Sequence, residues 1–254
     1  MIREFHRHVR SNIGDYYCNP SRYFNIRSVN TENIRPQLYH TDNQQVVIGG
    51  GGLIHKRYGK IIQRIMDTKP KHLTLWSIGH NYGPGVIRKK IDFLFPKWLF
   101  RANLVGVRDW VPGYEDYYVP CVTCMHPSLD TTNTKSIHPY VFYLHERKTK
   151  DMSVFPGPVM HNGETDMDVV FNFLGSGETV VTNSYHGAYW ALLLGKRVIT
   201  TSWSTKFNYF KYPPALIKNL EEWKTVDGQS APSDYLKECR EINQNFYTRF
   251  KQSV

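Results

Sequence analysis

His186 lies in the run Val180-Val181-Thr182-Asn183-Ser184-Tyr185-His186-Gly187-Ala188-Tyr189-Trp190-Ala191-Leu192-Leu193-Leu194-Gly195-Lys196-Arg197-Val198-Ile199, where an apolar stretch gives way to polar residues and then to a second apolar stretch. The pattern predicts a strand, a tight turn, a helix closed by Gly195 and a further strand over Arg197–Thr201. Together these make a βαβ unit whose polar groups gather at the helix N-terminus. Unsatisfied N–H groups and the positive end of the helix dipole favour an anion there. A histidine beside such an anion can give or take a proton. A histidine that only caps or packs is the plainer alternative.

Other residues carry chemistry of the same kind. Gly49-Gly50-Gly51-Gly52 follows the apolar run Val46-Val47-Ile48. It reads either as a tight strand-to-helix turn or as a cradle for a phosphate or an acceptor at the carboxyl end of a parallel strand. Its register fits neither the dinucleotide fingerprint nor the P-loop. Asn12-Ile13-Gly14-Asp15 is a polar turn in which Asp15 either caps a helix or accepts a proton from a substrate hydroxyl. Arg108, beside Asp109 at the end of a predicted strand, could hold a carboxylate or phosphate bidentately, or form a surface ion pair. Lys206 falls just past the strand that follows the His186 helix and is within reach of the same anion. Cys121-Val122-Thr123-Cys124 has the spacing of half a zinc site or of a redox pair, but no second such pair exists. Flanking prolines make it an irregular loop, and no metal is expected.

The elements that must position these groups follow from hydrophobic periodicity. Strands are predicted at 45–48, 72–79, 104–108 and 140–145. A helix is predicted over about 55–68, with Ile61, Ile62 and Ile65 on one face. A basic and apolar stretch runs from 86 to 99. A short helix over 166–174 has acidic residues in its first turn and Gly175 as its cap. A terminal helix, capped by Ser233, carries an apolar stripe of Tyr235, Cys239, Ile242, Phe246 and Phe250 that suits packing on the body of the protein or contact with a membrane surface. The polar stretch 130–136 is the best linker, so two α/β domains with a cleft between them are expected.

The chain has 254 residues, a net charge of +10, 41% hydrophobic and 14% aromatic residues, enough for a substantial core. The basic residues are dispersed and no nucleic-acid motif accompanies them, so nucleic acid is not an expected partner. Anionic substrates or an acidic membrane surface account for the charge. The N-terminus lacks the apolar core of a secretion signal and no run is long enough to span a bilayer, which makes a cytoplasmic location the expectation.

Asn12-Ile13-Gly14-Asp15, Val47-Ile48-Gly49-Gly50-Gly51-Gly52, Val107-Arg108-Asp109, Thr182-Asn183-Ser184-Tyr185-His186-Gly187 with Ala191-Leu192-Leu193-Leu194-Gly195, and then Lys206 occur in the order seen in polysaccharide pyruvyl transferases. Over residues 12–210 the chain resembles that family. The resemblance implies two Rossmann-like domains in a GT-B-like arrangement. Residues 1–133 would form the acceptor side with the glycine-rich loop, and 134–232 the phosphoenolpyruvate side. Residues 233–254 would form a helix returning to brace the two.

It also implies transfer of an enolpyruvyl group from phosphoenolpyruvate to a sugar of a polysaccharide or its lipid-linked precursor, at the inner face of the membrane in the second case. The products are a pyruvate ketal and phosphate. His186 would be the acid and Asp15 the base. Arg108, Lys206 and the N–H groups around Gly187 would clamp the anion. Asn12, Gly14, Gly50, Gly51, Gly52, Asn183, Ser184 and Arg147 complete the expected substrate contacts, and no metal or other cofactor is required. Ser184 stands where the family often has arginine, and Arg147 is placed to compensate. Residues 1–11 are too polar for the strand that normally precedes the Asn-Ile-Gly-Asp turn, so the chain looks shortened at its N-terminus. The alternatives are a GT-B glycosyltransferase using a nucleotide sugar and a catalytically inactive carbohydrate-binding relative.

Overall fold

The computed structural model describes residues 1–27, 29–83, 95–149 and 151–254. Apolar runs covered on both faces pair in parallel. β1 (Ile2–His6), β2 (Val29–Asn33), β3 (Gln45–Ile54), β4 (His72–His80) and β5 (Leu104–Val107) form one five-stranded sheet in the order β2-β1-β3-β4-β5. β6 (His138–Leu144), β7 (Val159–His161), β8 (Gly177–Thr182), β9 (Arg197–Thr201) and β10 (Ala215–Ile217) form a second, in the order β10-β9-β8-β6-β7. Every strand pairing in both sheets is parallel. The protein is thus α/β.

Counted from its own first strand, each sheet has the order 2-1-3-4-5 found in doubly wound folds. In that order the chain departs in opposite directions from strands one and three, and a crevice opens beyond their carboxyl ends. Those switch points fall between β1 and β3 in the first sheet and between β6 and β8 in the second.

Six α-helices complete the described chain: α1 (Ile13–Tyr17), α2 (Lys56–Asp67), α3 (Ser128–Thr131), α4 (Met167–Ser176), α5 (Tyr185–Leu193) and α6 (Tyr235–Ser253). α2 buries Ile61, Ile62 and Ile65. α5 is apolar all round and is buried from Tyr185 to Leu193, with Gly195 closing it at φ +70. α6 belongs to both cores. Its Tyr235 and Cys239 pack into that of the second sheet, whereas Phe246 and Phe250 pack on Trp76 of the first. Asn243, fully buried between them, accepts from Trp76 Nε1 at 3.0 Å and donates to the Pro120 carbonyl at 3.0 Å. Among the described residues no helix is long and apolar enough to cross a membrane.

Several expectations need correction. The polar N-terminus is a strand after all, and β1 lies between β2 and β3. Its Glu4 is buried yet fully satisfied, accepting from the Ser21 N–H at 3.0 Å and from Asn19, Ser21 and Thr31 side chains. Arg3 pairs with Glu32 of β2 at 2.7 Å. A strand whose polar residues find partners in its neighbours has no apolar signature.

The four glycines form no loop: all lie inside β3 and are buried. Side chains there would collide with neighbours, since a Cβ on Gly49 would come within 2.7 Å of Pro20 and one on Gly50 within 2.8 Å of the Cys18 carbonyl. Gly51 adopts φ +94 where the pairing with β4 slips register.

Gly175 is not a cap. α4 continues through it and ends at Gly177 with φ −89; a glycine stands at 175 because a Cβ there would overlap the Asn133 carbonyl. Cys121–Met125 is a 3₁₀ turn rather than an irregular loop, with Cys121 at its N-cap. α6 starts after Asp234, not Ser233, behind a turn closed by the Tyr235 N–H on the Pro232 carbonyl. The stretch 86–99 lies outside the described residues as far as 94; Lys97–Arg101 is a 3₁₀ turn.

Candidate active site

The two switch points face one another across a cleft of ≈ 70 Å³. The first sheet contributes Arg7, Asn12 and Asp15 from the segment after β1, Gly52 from β3, Asn81 after β4 and Arg108 after β5. The second contributes His145 after β6, Ser184, Tyr185 and His186 from the β8–α5 junction, and Trp203 and Lys206 after β9. Backbone bonds sew the walls together: the Ile13 N–H donates to the Asn162 carbonyl at 3.2 Å, and the Thr205 N–H to the Tyr82 carbonyl at 2.9 Å. Ser204 Oγ donates to Asn81 Oδ1 at 3.0 Å.

Arg7, Arg108 and Lys206 give the cleft an excess of positive charge over Asp15. Arg108 is only 3% exposed, and its Nε and Nη1 have no partner among the described residues. Its guanidinium lies 3.8 Å above the Tyr185 ring, held by cation–π attraction in place of a carboxylate. It is no surface ion pair: Asp109 instead accepts from the His80 backbone N–H at 2.6 Å and lies 2.7 Å from His80 Nδ1. Gly79 gives Arg108 its path, because a Cβ there would come within 2.7 Å of the arginine's Cγ. Burying a donor-rich cation without acceptors is costly. Arg7 is bonded to Asp15 Oδ2 at 2.7 Å. Lys206 sits 4.2 Å above Trp203, and burial followed by Arg108 pushes its ammonium down to about 7.

His186 is 6% exposed. Its ring rests on Gly14, where any Cβ would overlap it, and its Nε2 is 3.6 Å from Cys121 Sγ. Burial, then Arg108, Lys206 and Arg7, hold the imidazole well below its usual range. It is therefore neutral at physiological pH. His145 is likewise depressed, to about 4, first by burial and then by Lys206.

Of the expected site residues, the cleft gathers His186, Asp15, Asn12, Arg108, Lys206, Ser184 and Gly52. Others serve the frame. Gly14 seats the His186 ring. Gly50 and Gly51 lie under Cys18. Asn183 accepts from the His145 N–H at 2.6 Å and donates to Thr149 Oγ1 at 3.0 Å, so it orients a neighbouring strand end instead of a ligand. The Gly187 N–H is aimed at the Ser184 hydroxyl at 3.4 Å, and its lack of Cβ admits Tyr143. Arg147 is exposed on a 3₁₀ turn outside the cleft. The guanidinium that joins Arg108 is Arg7, which the sequence reading missed. A basic residue directly after a strand was the available signal, hidden because β1 was not read as a strand.

No family model and no curated protein matches this chain. Among solved structures, a functionally uncharacterized protein of Klebsiella pneumoniae subsp. pneumoniae NTUH-K2044 is similar at 16% identity, with a TM-score of 0.47 over 78% of this chain and 82% of the other.

Proposed function

We propose that the protein is a pyruvyltransferase that converts phosphoenolpyruvate and a saccharide diol into a pyruvate ketal and phosphate. The observation that carries this reading is the buried Arg108 guanidinium, whose Nε and Nη1 have no partner among the described residues, in one small cleft with Arg7, Lys206 and His186. A compact trianion bearing phosphate and carboxylate suits such a cluster. A cleft of ≈ 70 Å³ also suits a small acid better than a nucleotide sugar. The facing doubly wound sheets, spanned by α6, support a GT-B-like arrangement with residues 1–133 on the acceptor side and 134–232 on the donor side.

In this reaction one sugar hydroxyl adds to C2 of phosphoenolpyruvate while C3 takes a proton. The second hydroxyl then displaces phosphate from C2 and closes the ketal. His186 gains a proton once the bound trianion outweighs both its burial and the neighbouring cations, and delivers it to C3. Both partners of Asp15 sit on Oδ2, which leaves Oδ1 to accept the proton of the attacking hydroxyl. The reaction uses no metal or redox cofactor. The acceptor is a polysaccharide or its lipid-linked precursor, and in the second case the basic protein works at an anionic membrane face.

The test is incubation with phosphoenolpyruvate and glycans ending in galactose, glucose, mannose or N-acetylhexosamine, followed by mass spectrometry. A glycan that gains a pyruvyl group with release of phosphate is the expected result. Consumption of a nucleotide sugar with no pyruvylation overturns it.

A further inference from the structure

Cys121 and Thr123 belong to a motif that the transfer chemistry leaves unused, yet Cys121 lies against the candidate acid and Thr123 against Cys121. We propose that Trp190, Thr123 and Cys121 form a directional hydrogen-bond chain that fixes the tautomer of His186, with the ring proton on Nδ1, the nitrogen over Gly14.

The direction follows from the groups themselves. An indole N–H can only donate, and Trp190 Nε1 donates to Thr123 Oγ1 at 2.9 Å. The Thr123 hydroxyl hydrogen is then turned to Cys121 Sγ at 3.3 Å. Cys121 Sγ is 3.6 Å from His186 Nε2. Trp190, Thr123 and Cys121 are completely buried, so no solvent competes for any link. Sγ keeps a second lone pair, and what assigns the thiol hydrogen to Nε2 is that, among the described residues, no other acceptor lies within hydrogen-bond distance of Sγ. Burial raises the Cys121 thiol above its ordinary range, which keeps that hydrogen in place, and the neutral imidazole has a lone pair to receive it. Whichever ring nitrogen accepts, the other carries the proton.

Two local structures make this possible. α5 places His186 and Trp190 one turn apart, their ring centroids 5.3 Å from each other. The 3₁₀ turn beginning at Cys121 presents residues 121 and 123 to that pair. Cys121 and Thr123 are thus positioning residues, set behind the ring on the side away from Gly14. Their value to catalysis rests on the proposed role of His186, but the tautomer does not.

The test is long-range ¹H–¹⁵N correlation NMR of the labelled, unliganded protein near neutral pH, with His186 assigned by its loss in His186→Asn. The wild type needs no variant to decide the main point: Nδ1 should carry the proton and Nε2 should be bare. Cys121→Ala should move the proton to Nε2, whereas Cys121→Ser, which keeps a donor, should hold it on Nδ1. Thr123→Val should weaken the preference and Thr123→Ser should restore it. An Nε2–H tautomer in the wild type, or an Nδ1–H tautomer that survives Cys121→Ala, overturns the proposal. If the tautomer is as stated but no acceptor is pyruvylated, the transferase reading fails and the chain of hydrogen bonds stands.

Discussion

At the scale of single residues, the cleft is a set of charges waiting for a counter-charge. Arg108→Ala should weaken phosphoenolpyruvate binding by about 1.5–3 kcal/mol, the range for a hydrogen bond to a charged group, or about 10- to 150-fold in Kd by calorimetry. His186→Asn should cost affinity only through the lost protonation of the ring, a loss that fades as pH rises, and should lower turnover by roughly 10²–10⁴-fold, the usual contribution of a positioned acid. Turnover near the wild-type rate in a folded His186→Asn protein would remove the acid assignment. Binding should also take up protons. His186 and Lys206 are depressed in the free protein, and Lys206 lies at about 7; a bound anion raises both. The complex therefore holds more protons than the free protein, and affinity must fall as pH rises above about 7. Calorimetry in buffers of different ionisation enthalpy should show net uptake at pH values above neutrality, and Lys206→Met should reduce it.

At the scale of elements, the short helix α1 and the buried helix α5 meet through one glycine. Gly14→Ala forces the His186 ring aside, so it should cost about 1–3 kcal/mol of stability, as overpacking does. It should also lose more activity than a thermal melt of the same preparation explains. A variant as active as the wild type would show that the ring need not sit there. The βαβ unit around His186 was legible because apolar strands and an apolar helix with a glycine stop leave a strong periodic trace. Arg108 and Lys206 were legible as basic residues just past strand ends. The glycine run misled, because glycines that admit Cys18, Pro20 and Asn81 against a strand look in sequence like a loop. β1 was hidden for a different reason. Its Glu4 is buried by partners from residues 19–31, a tertiary fact with no local signature. With β1 went Arg7, and the sequence pointed instead to Arg147.

At the scale of the whole molecule, two sheets of the same strand order meet at their switch points, and α6 contributes side chains to both cores. Asn243→Ala would strand the buried Trp76 indole N–H, while the Pro120 carbonyl keeps the Ser77 hydroxyl at 2.8 Å, and should cost about 1–3 kcal/mol for the one orphaned group. Because α6 joins the cores, chemical denaturation followed by tryptophan fluorescence and by circular dichroism should still give coincident curves; separate transitions would show that the halves unfold independently. The joint also sets a clock on synthesis. Trp76 and Asn243 are 167 residues apart, and at roughly 5–20 residues per second the ribosome needs about 8–33 s to cover that span. Until then the Trp76 indole has Phe24 against it but lacks Phe246 and Phe250, although all five strands of the first sheet are complete once Val107 has been made. The nascent protein spends that time with an aromatic surface open to chaperones, proteases and neighbouring chains, and the last turns of α6 end the exposure.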